Sequence, residues 1–286
     1  MTVDLRSPIW RDLAELVRLP AVLTVPGDTV LGARAAGRSP GALPLASACL
    51  YLAGMAANDW ADREVDAQER PNRPIPSGRV PAWAALLLAV ALTFAGLAIA
   101  RAARGKAGLA IAIPLAIAVW AYDLVLKQTP AGPAAMAAAR GLDVLLGAAG
   151  APHLAVGQAG AMALHTAIVT TVSRDEVAGA GPALPAAALA ATLALAGATW
   201  ALTPANRRLA TTGPLAVYAA VAGLGHLQAT ANPTPAALQR AVGGGIKGMI
   251  PLQSALLTSS GARFWSAAIA LLLPAAQELA RRRAIT

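Results

Sequence analysis

An oxygen-rich stripe directly follows an apolar stretch of the chain. Residues 42–57 are almost wholly apolar, and the charge-dense segment after them contains Asn58, Asp62 and Asp66, with Asp59 beside them. Residues four apart on a helix lie about 40° apart around the axis and about 6 Å apart along it, so the first three share one face. Mg²⁺ in proteins typically binds one or two carboxylates and completes its coordination with waters and phosphate oxygens. The stripe therefore predicts a Mg²⁺ site for a phosphate-bearing ligand.

A basic turn comes next in the chain. Its sequence is Arg70-Pro71-Asn72-Arg73-Pro74-Ile75-Pro76-Ser77-Gly78. Arginine carries forked N–H donors that match the oxygens of a phosphate group, so Arg70 and Arg73 are candidate ligands of the same phosphate. The alternative is a helix end with solvated salt bridges, which the acidic stripe alone would equally indicate. The stripe and the turn together favour the ligand site.

This combination resembles the first signature motif of the UbiA family of membrane prenyltransferases. The number and spacing of apolar segments extend the resemblance over most of the chain. The resemblance implies an all-α membrane helix bundle that uses Mg²⁺ to move an isoprenoid chain from a polyprenyl diphosphate to a small acceptor, aromatic or cyclitol-like. Within the family, the stretches around Asn58, Tyr122, Arg140 and Ser173 most resemble the branch found in ebo-type cyclitol gene clusters.

The end of the sixth apolar segment is where the family usually carries a second pair of acids, four residues apart. Ser173 and Val177 stand at those positions here, and Asp175 and Glu176 lie between them. Neighbours on a helix point about 100° apart, so only one of two adjacent acids can face a given metal. We expect Asp175 to bind metal, directly or through water, with Arg174 as a diphosphate ligand. The alternative is a solvent-exposed cluster of Arg174 and Glu176.

Two segments between the acidic sites contribute further candidates. By resemblance, Lys127 contacts the diphosphate and Tyr122 borders the substrate. Asp123 and Lys127 are four apart and could instead pair along a helix face, with Tyr122 at the membrane interface. Arg140 and Asp143 lie within the next apolar segment, where they most simply neutralise each other. In the alternative, Arg140 faces a central cavity and contacts substrate.

Asp28 stands in a segment where Pro26 and Gly27 are expected to bend the first helix. The sequence predicts a lone buried carboxylate without a nearby basic partner. Such a group could act as a general base on an acceptor, and a hydrogen-bonded core acid is the alternative.

The composition independently indicates a membrane protein. The 286-residue chain is 57% hydrophobic and 13% charged, with a mean hydropathy of +0.57, whereas about a quarter of the residues in soluble domains are charged. We expect one all-α domain over residues 1–286 with nine or ten transmembrane helices, ten being favoured, since 232–262 could be re-entrant. The apolar segments, each near the roughly 20 residues needed to span a bilayer, are 20–38, 42–61, 82–101, 107–126, 131–150, 158–178, 183–203, 211–229, 237–257 and 263–280.

The charge pattern predicts location and partners. Residues 1–19 mix acids with arginines and lack an apolar stretch, which predicts an interfacial amphipathic segment. The net charge of +9 is spread over helix ends without interleaved aromatics, which favours membrane lipid and anionic substrates over nucleic acid. With ten helices, thirteen Lys and Arg lie on the side of the acidic site against eight opposite. The positive-inside rule then predicts a multi-pass protein of the cell membrane with a cytoplasmic active site.

One alternative to an enzyme stays open. The absence of acids at Ser173 and Val177 would also suit a non-catalytic lipid carrier or transporter built on the same bundle. Metal-dependent release of diphosphate distinguishes the two functions.

Overall fold

The structure is a computed structural model that describes residues 9–284, apart from the side chains of residues 9, 10, 19, 20 and 279–284. All regular elements in this range are helical, which confirms the predicted all-α class. The helices are α1 (Ile9–Leu16), α2 (Pro26–Ala35), α3 (Leu43–Ala61), α4 (Arg63–Glu69), α5 (Ala82–Ala121), α6 (Gly132–Gly147), α7 (Val156–Ser173), α8 (Ala183–Leu202), α9 (Ala205–Ala231), α10 (Pro235–Ser259), α11 (Arg263–Ala270) and α12 (Leu272–Ala284). Short π- or 3₁₀-helical turns are formed by Leu19–Thr24, Tyr122–Leu126 and Pro152–Ala155.

Helix α5 consists of two antiparallel arms. Gly105 between them has φ 63° and ψ −144°, a conformation that glycine adopts far more readily than other residues. The indole of Trp120 donates a hydrogen bond to the hydroxyl of Thr93 at 3.1 Å, although residues so far apart in sequence would be separated by about 40 Å along one straight helix. The chain therefore reverses at Gly105, and the predicted segments 82–101 and 107–126 are the two arms.

Successive helices of the core run alternately between two ends of the bundle. One end, called the mouth, contains the junction of α3 with α4, the turn after α5 and the end of α7. At the far end, Arg38 donates to the carbonyl of Ala149 at 2.9 Å, and Arg207 donates to the carbonyl of Ser259 at 3.1 Å. Helix ends leave carbonyl groups without partners, and these arginines satisfy them while tying neighbouring loops together.

The outer surface of the bundle is suited to lipid. Large apolar side chains such as Trp83 and Phe94 are about two-thirds exposed, at 69% and 67%. Helix α10 is continuous from Pro235 to Ser259, so the structure contains no re-entrant break within that range of the 232–262 segment. The total of nine or ten transmembrane helices stays a prediction. By length and composition, the stretches in the described part of the chain that could cross a membrane are Ala82–Leu126, Pro152–Ser173 and Ala183–Leu202.

Helix α1 is anchored at the mouth end. Of the predicted interfacial segment 1–19, residues 1–8 lie outside the described residues. Arg79 donates to the carboxylates of Asp12 and Glu15, the latter at 2.9 Å. Arg18 follows α1 with a left-handed φ of 47°, and this reversal of direction brings its side chain to the α3–α4 junction.

Helices α2 and α6 cross with their backbones in contact. A Cβ atom on Gly32 would lie 1.8 Å from the carbonyl oxygen of Val144, and one on Gly147 would lie 2.1 Å from a backbone oxygen of α2. Small residues at helix interfaces permit this approach in membrane proteins. The crossing holds α2 against α6 and thereby places Asp28 next to Arg140.

Replacing Gly147 with alanine tests this crossing. The added methyl group has to push the two backbones apart, and overpacking of this kind costs about 1–3 kcal/mol. We expect Gly147→Ala to lower the Tm of the protein in detergent, followed by intrinsic tryptophan fluorescence. Gly197→Ala on α8 is the matched control, because a Cβ atom there meets nothing within 4 Å, and its Tm should not fall. Equal Tm values for both variants would contradict the close crossing.

Candidate active site

Asp59 and Asp66 share one basic partner at the mouth. Nη1 of Arg73 lies 3.2 Å from Oδ1 of Asp59 and 2.7 Å from Oδ2 of Asp66. Asp59 lies in α3 and Asp66 in α4, so the stripe that the sequence predicts on one helix is divided by a break at Asp62, and Arg73 bridges the carboxylates on either side of it. Arg70 also approaches Asp66, at 4.0 Å. The basic turn therefore offsets the repulsion between two nearly buried carboxylates.

Asn58 and Asp62 face the turn after α5. Nζ of Lys127 lies 2.6 Å from Oδ1 of Asp62, and the amide of Asn58 donates to Oδ1 of Asp123 at 3.3 Å. Tyr122–Leu126 is a π-helical turn, in which residues four apart do not stack as they do on an α-helix. Lys127 consequently pairs with Asp62, and the pairing with Asp123 considered from the sequence is wrong.

Arg18 joins this network from the opposite side. Its Nη2 atom donates to Oδ1 of Asp59 at 3.2 Å and to Oδ1 of Asn58 at 3.3 Å. Arg18 is not among the residues predicted from the sequence, because it precedes Asn58 by 40 residues and local spacing gives no sign of contact over that separation. The available signal was the group of arginines just before the first apolar segment.

A cavity of about 380 Å³ lies between α3, α5, α6, α7 and α10, a volume typical of small-ligand sites. Arg18, Tyr122 and Asp123 line it at the mouth end, and apolar side chains such as Leu50 and Val119 form much of the wall. Tyr122 thus borders the cavity in which the resemblance places the substrate.

Glu176 is the acid after α7 that lines the cavity, together with Ser173, whereas Asp175 does not line it. Helix α7 ends at Ser173, so both acids lie in the turn that follows. Burial raises the pKa of Glu176, and the positive charges of Arg70 and Arg18 oppose that rise. The geometry therefore favours Glu176 as the second acid, where the sequence favours Asp175. A metal-binding role for Asp175 stays an untested prediction.

Arg174 makes its contact outside the cavity. Its guanidinium donates to the carbonyl of Thr129 in the loop between α5 and α6. This contact ties the end of α7 to the π-helical turn that carries Lys127. The contact of Arg174 with diphosphate that the sequence predicts has no support in this geometry and stays a prediction.

A second polar cluster, the floor cluster, lies deeper in the bundle and consists of Asp28, Ser47, Arg140, Asp143 and Gln253. Nη1 of Arg140 lies 3.0 Å from Oδ2 of Asp28, and Gln253 donates to Oδ1 of Asp28 at 2.8 Å. The hydroxyl of Ser47 donates to Asp143 at 2.5 Å. Asp28 is therefore not a lone carboxylate, and the direct ion pair of Arg140 is with Asp28 rather than Asp143. A lone Asp28 and an Arg140–Asp143 pair were wrong predictions because the partners come from distant helices. The alternatives are confirmed, since Asp28 is a hydrogen-bonded core acid and Arg140 lines the cavity.

The mouth residues fit a bound Mg²⁺. In the described part of the chain, no three His, Cys, Asp or Glu side chains converge into a ready-made metal site. Mg²⁺ does not need one, because one or two carboxylates with waters and phosphate oxygens are enough. The oxygens of Asn58, Asp62 and Asp66 meet this requirement, and they are held by Arg18, Lys127 and Arg73. When these oxygens bind a metal, the long basic side chains can leave them and donate hydrogen bonds to a phosphate.

The helices and the site define an all-α membrane protein with an ionic mouth above a largely apolar cavity. The chain belongs to the UbiA prenyltransferase family, whose family model matches residues 25–242. This match confirms the family resemblance drawn from the motif. The matched range contains every acidic and basic site residue named from the sequence, and Arg18 lies just before it.

Curated relatives match shorter stretches. The digeranylgeranylglyceryl phosphate synthase of Methanothrix thermoacetophila is 43% identical over 95 residues, which cover 33% of this chain and 35% of that protein. The synthase of the same name from Natronomonas pharaonis is 37% identical over 145 residues, covering 49% and 52%. The bacteriochlorophyll synthase 33 kDa chain of Rhodobacter capsulatus is 42% identical over 69 residues, covering 24% and 22%. The chain thus spans about half or less of the length of these relatives.

Solved structures confirm the fold over most of the chain. A UbiA homolog from Aeropyrum pernix, solved in its apo form, aligns with a TM-score of 0.60 at 23% identity, covering 83% of this chain and 96% of that one. A UbiA homolog from Archaeoglobus fulgidus, solved with GPP and Mg²⁺, aligns with a TM-score of 0.53 at 13% identity, covering 91% and 99%. At these identities the likeness establishes the fold alone.

The adjacent acids provide a matched pair of variants for the second acidic position. We expect Glu176→Gln to weaken Mg²⁺-dependent binding of farnesyl thiolodiphosphate several-fold in titration calorimetry, whereas Asp175→Asn leaves it unchanged, because only Glu176 lines the cavity. A raised pKa means that Glu176 takes up its proton at a higher pH than an ordinary Glu. Lowering the pH should therefore weaken binding more in the wild type than in Glu176→Gln. If only Asp175→Asn weakens binding of the thiolodiphosphate, the second acid is Asp175, as the sequence predicts.

Proposed function

We propose that this protein is a Mg²⁺-dependent prenyltransferase that moves an isoprenoid chain from a polyprenyl diphosphate to a small acceptor. The observation that carries the proposal is the interleaving of acidic and basic side chains at the mouth of a largely apolar cavity. Asp62 lies 2.6 Å from Lys127 and Asp66 lies 2.7 Å from Arg73. The names of the curated relatives, which are synthases, support the reaction class. The GPP and Mg²⁺ in the Archaeoglobus fulgidus structure support the donor and the metal.

Donor binding is an exchange of ionic partners at the mouth. Asn58, Asp62 and Asp66, with Asp59 beside them, would hold the metal, whose positive charge offsets the charge of the diphosphate and of its leaving form. Arg73 and Lys127 then release their carboxylates and donate to phosphate oxygens, and Arg18 and Arg70 stand close enough to add further donors. Glu176 supplies the acidic group from the other half of the bundle. The isoprenoid tail extends from the mouth into apolar surroundings.

The residues at the mouth promote cleavage of the allylic carbon–oxygen bond. The electron pair of that bond leaves with the diphosphate, and the cation left behind is delocalised over the allylic system. Donors on Arg73 and Lys127 bind more strongly as charge grows on the diphosphate, which lowers the barrier selectively. The largely apolar wall keeps water from the cation until the acceptor attacks it, and the acceptor then loses a proton to the released diphosphate.

The position of Glu176 bears on the carrier alternative. That alternative rests on the missing acids at Ser173 and Val177. An acid from the same turn nevertheless lines the cavity beside Ser173, so the second half of the bundle does contribute a carboxylate to the site. This arrangement favours the enzyme, and a carrier would bind the donor without releasing diphosphate.

We also propose that the mouth faces the cytoplasm and that both termini lie there. The distribution of Lys and Arg supports this orientation. The side chains of Arg281, Arg282 and Arg283, which contribute to that count, lie outside the described part of the chain. Alkaline phosphatase, which is active only outside the membrane, should be silent when fused after Thr286. Strong activity of the fusion would return the helix number to nine.

Loss of a mouth carboxylate should abolish turnover. We expect Asp62→Ala and Asp66→Ala to remove Mg²⁺-dependent release of diphosphate from geranylgeranyl diphosphate while the protein stays folded, because both residues lie at the rim of the bundle. Glu64→Ala is the matched control, since the side chain of Glu64 is 82% exposed and lies outside the network. The metal assignment fails if both Asp variants release diphosphate at the wild-type rate with saturating Mg²⁺.

Loss of Arg73 should weaken donor binding more than it slows the chemical step. Arg73 bridges two carboxylates before the donor arrives, so its removal takes a phosphate ligand away and leaves Asp59 and Asp66 less compensated. We expect Arg73→Ala to raise the Kd of the thiolodiphosphate analogue by at least about tenfold, the equivalent of about 1.4 kcal/mol. In the control Arg63→Ala, a guanidinium stacked 4.9 Å from the Trp60 ring is removed, and the Kd should not change. A slower rate with unchanged Kd in Arg73→Ala would instead assign Arg73 to the transition state.

A further inference from the structure

Asp123 is a nearly buried acid at the mouth that takes no part in the proposed exchange of ionic partners. Its side chain is only 3% exposed, and it lines the cavity. Lys127, four residues later, pairs with Asp62 instead. Among the described residues, no Lys or Arg nitrogen lies within 4 Å of the Asp123 carboxylate. An acid buried without a cation in direct contact is costly, which indicates a specific role for it.

The fold brings Asp123 against the last turn of α3. A Cβ atom on Gly54 would lie 2.7 Å from Cγ1 of Val119 and 3.6 Å from Oδ2 of Asp123. The absence of a side chain at Gly54 therefore lets the end of α5 lie close to α3. Asn58 follows Gly54 by four residues, so it lies on the same face of α3. Its amide nitrogen donates to Oδ1 of Asp123 at 3.3 Å.

The orientation of the Asn58 amide is fixed from both ends. Nη2 of Arg18 donates to Oδ1 of Asn58 at 3.3 Å. A guanidinium has donors only, so it can contact only the oxygen of the amide. The amide nitrogen consequently faces Asp123, which has an acceptor oxygen in either protonation state. A half-turn of the amide would set its nitrogen against the guanidinium, with two donors facing each other.

The oxygen of Asn58 is directed at the same cation as an oxygen of Asp59. Nη2 of Arg18 also lies 3.2 Å from Oδ1 of Asp59. Oxygens are the ligands that Mg²⁺ requires, so the amide can bind the metal only through its oxygen. Once Arg18 donates to a phosphate, it no longer fixes the amide of Asn58. The hydrogen bond to Asp123 is then the contact that keeps the amide oxygen directed at the site.

We propose that Asp123 is a positioning residue of the Mg²⁺ site, which holds the amide nitrogen of Asn58 and thereby directs the amide oxygen to the metal. This proposal rests on the proposed function and adds a residue to it. A partner behind a metal ligand fixes the orientation of that ligand, and its loss typically weakens metal binding by about tenfold to hundredfold.

Two substitutions of Asp123 separate its hydrogen bond from its charge. Asp123→Asn removes the charge and keeps an acceptor oxygen, whereas Asp123→Leu, of similar size, removes both. The Kd of Mn²⁺ is measured from the EPR signal of free Mn²⁺, with the full chain in detergent and geranylgeranyl thiolodiphosphate bound, and is corrected for Mn²⁺ bound by the analogue in buffer. No turnover is needed.

We expect Asp123→Leu to bind Mn²⁺ about tenfold more weakly than Asp123→Asn. Leu124→Ala is the control, because Leu124 lies in the same turn and is 49% exposed, and its Kd should equal that of the wild type. Equal Kd values for the two Asp123 variants would overturn the proposal.

The same two substitutions in an Asn58→Asp background test the orientation itself. A carboxylate presents an equivalent oxygen after a half-turn, so it needs no partner to orient it. In this background Asp123→Leu and Asp123→Asn should bind Mn²⁺ with equal Kd. A tenfold difference that persists there would mean that Asp123 acts on another group, and the proposal would fail.

Thermal stability provides a second measurement in case Asp123→Leu does not fold. Asn58→Asp sets two acids against each other and should lower the Tm, whereas the double variant Asn58→Asp/Asp123→Asn should recover it, because residue 123 can then donate to residue 58. A Tm that does not recover would refute the contact between the two positions. If the wild type does not bind Mn²⁺ together with the thiolodiphosphate, the proposed function fails, and this proposal fails with it.

Discussion

Carboxylates at the rim of a low-dielectric bundle remain favourable in their charged form only while cations lie close to them. Arg73 compensates the negative charge of Asp59 and Asp66, and Lys127 compensates that of Asp62. Because these cations come from the basic turn and from the loop after α5, each ion pair also fixes one loop against the α3–α4 junction. The mouth is thus organised by the same side chains that a diphosphate would bind. Charge compensation holds the site in place, and under the proposed function the same cations would become ligands of the diphosphate.

The two ends of the cavity differ in electrostatic character. At the mouth, basic side chains stand close to one another, and a metal bound to the carboxylates would free them for phosphate. At the floor, Arg140 is neutralised by Asp28 at 3.0 Å. An amphiphilic anion should therefore enter with its charged group at the mouth. The close crossing at Gly32 and Gly147 maintains this difference, because it holds Asp28 of α2 against α6.

Local patterns predicted the helical class and the position of the first acidic motif. Apolar runs and four-residue spacing act over a few helical turns, so the end of α3 could be read directly from the sequence. The partners of these residues could not, because they depend on helix crossings. Lys127 pairs with Asp62 rather than Asp123 because of a π-helical turn. Arg140 forms an ion pair with Asp28, which precedes it by more than one hundred residues. The choice of Glu176 over Asp175 depends on where α7 ends, which periodicity locates only within a few residues.

In the proposed function, the mouth carboxylates bind a metal together with the donor diphosphate, and this joint binding can be observed. Anomalous diffraction from crystals grown with Mn²⁺ and geranylgeranyl thiolodiphosphate tests it most directly, since Mn²⁺ replaces Mg²⁺ and can be located unambiguously. We expect an anomalous peak in contact with oxygens of Asn58, Asp62 or Asp66, with Arg73 and Lys127 turned towards the diphosphate. A diphosphate bound at the mouth without such a peak, or a peak at Asp28 and Asp143 instead, would contradict it.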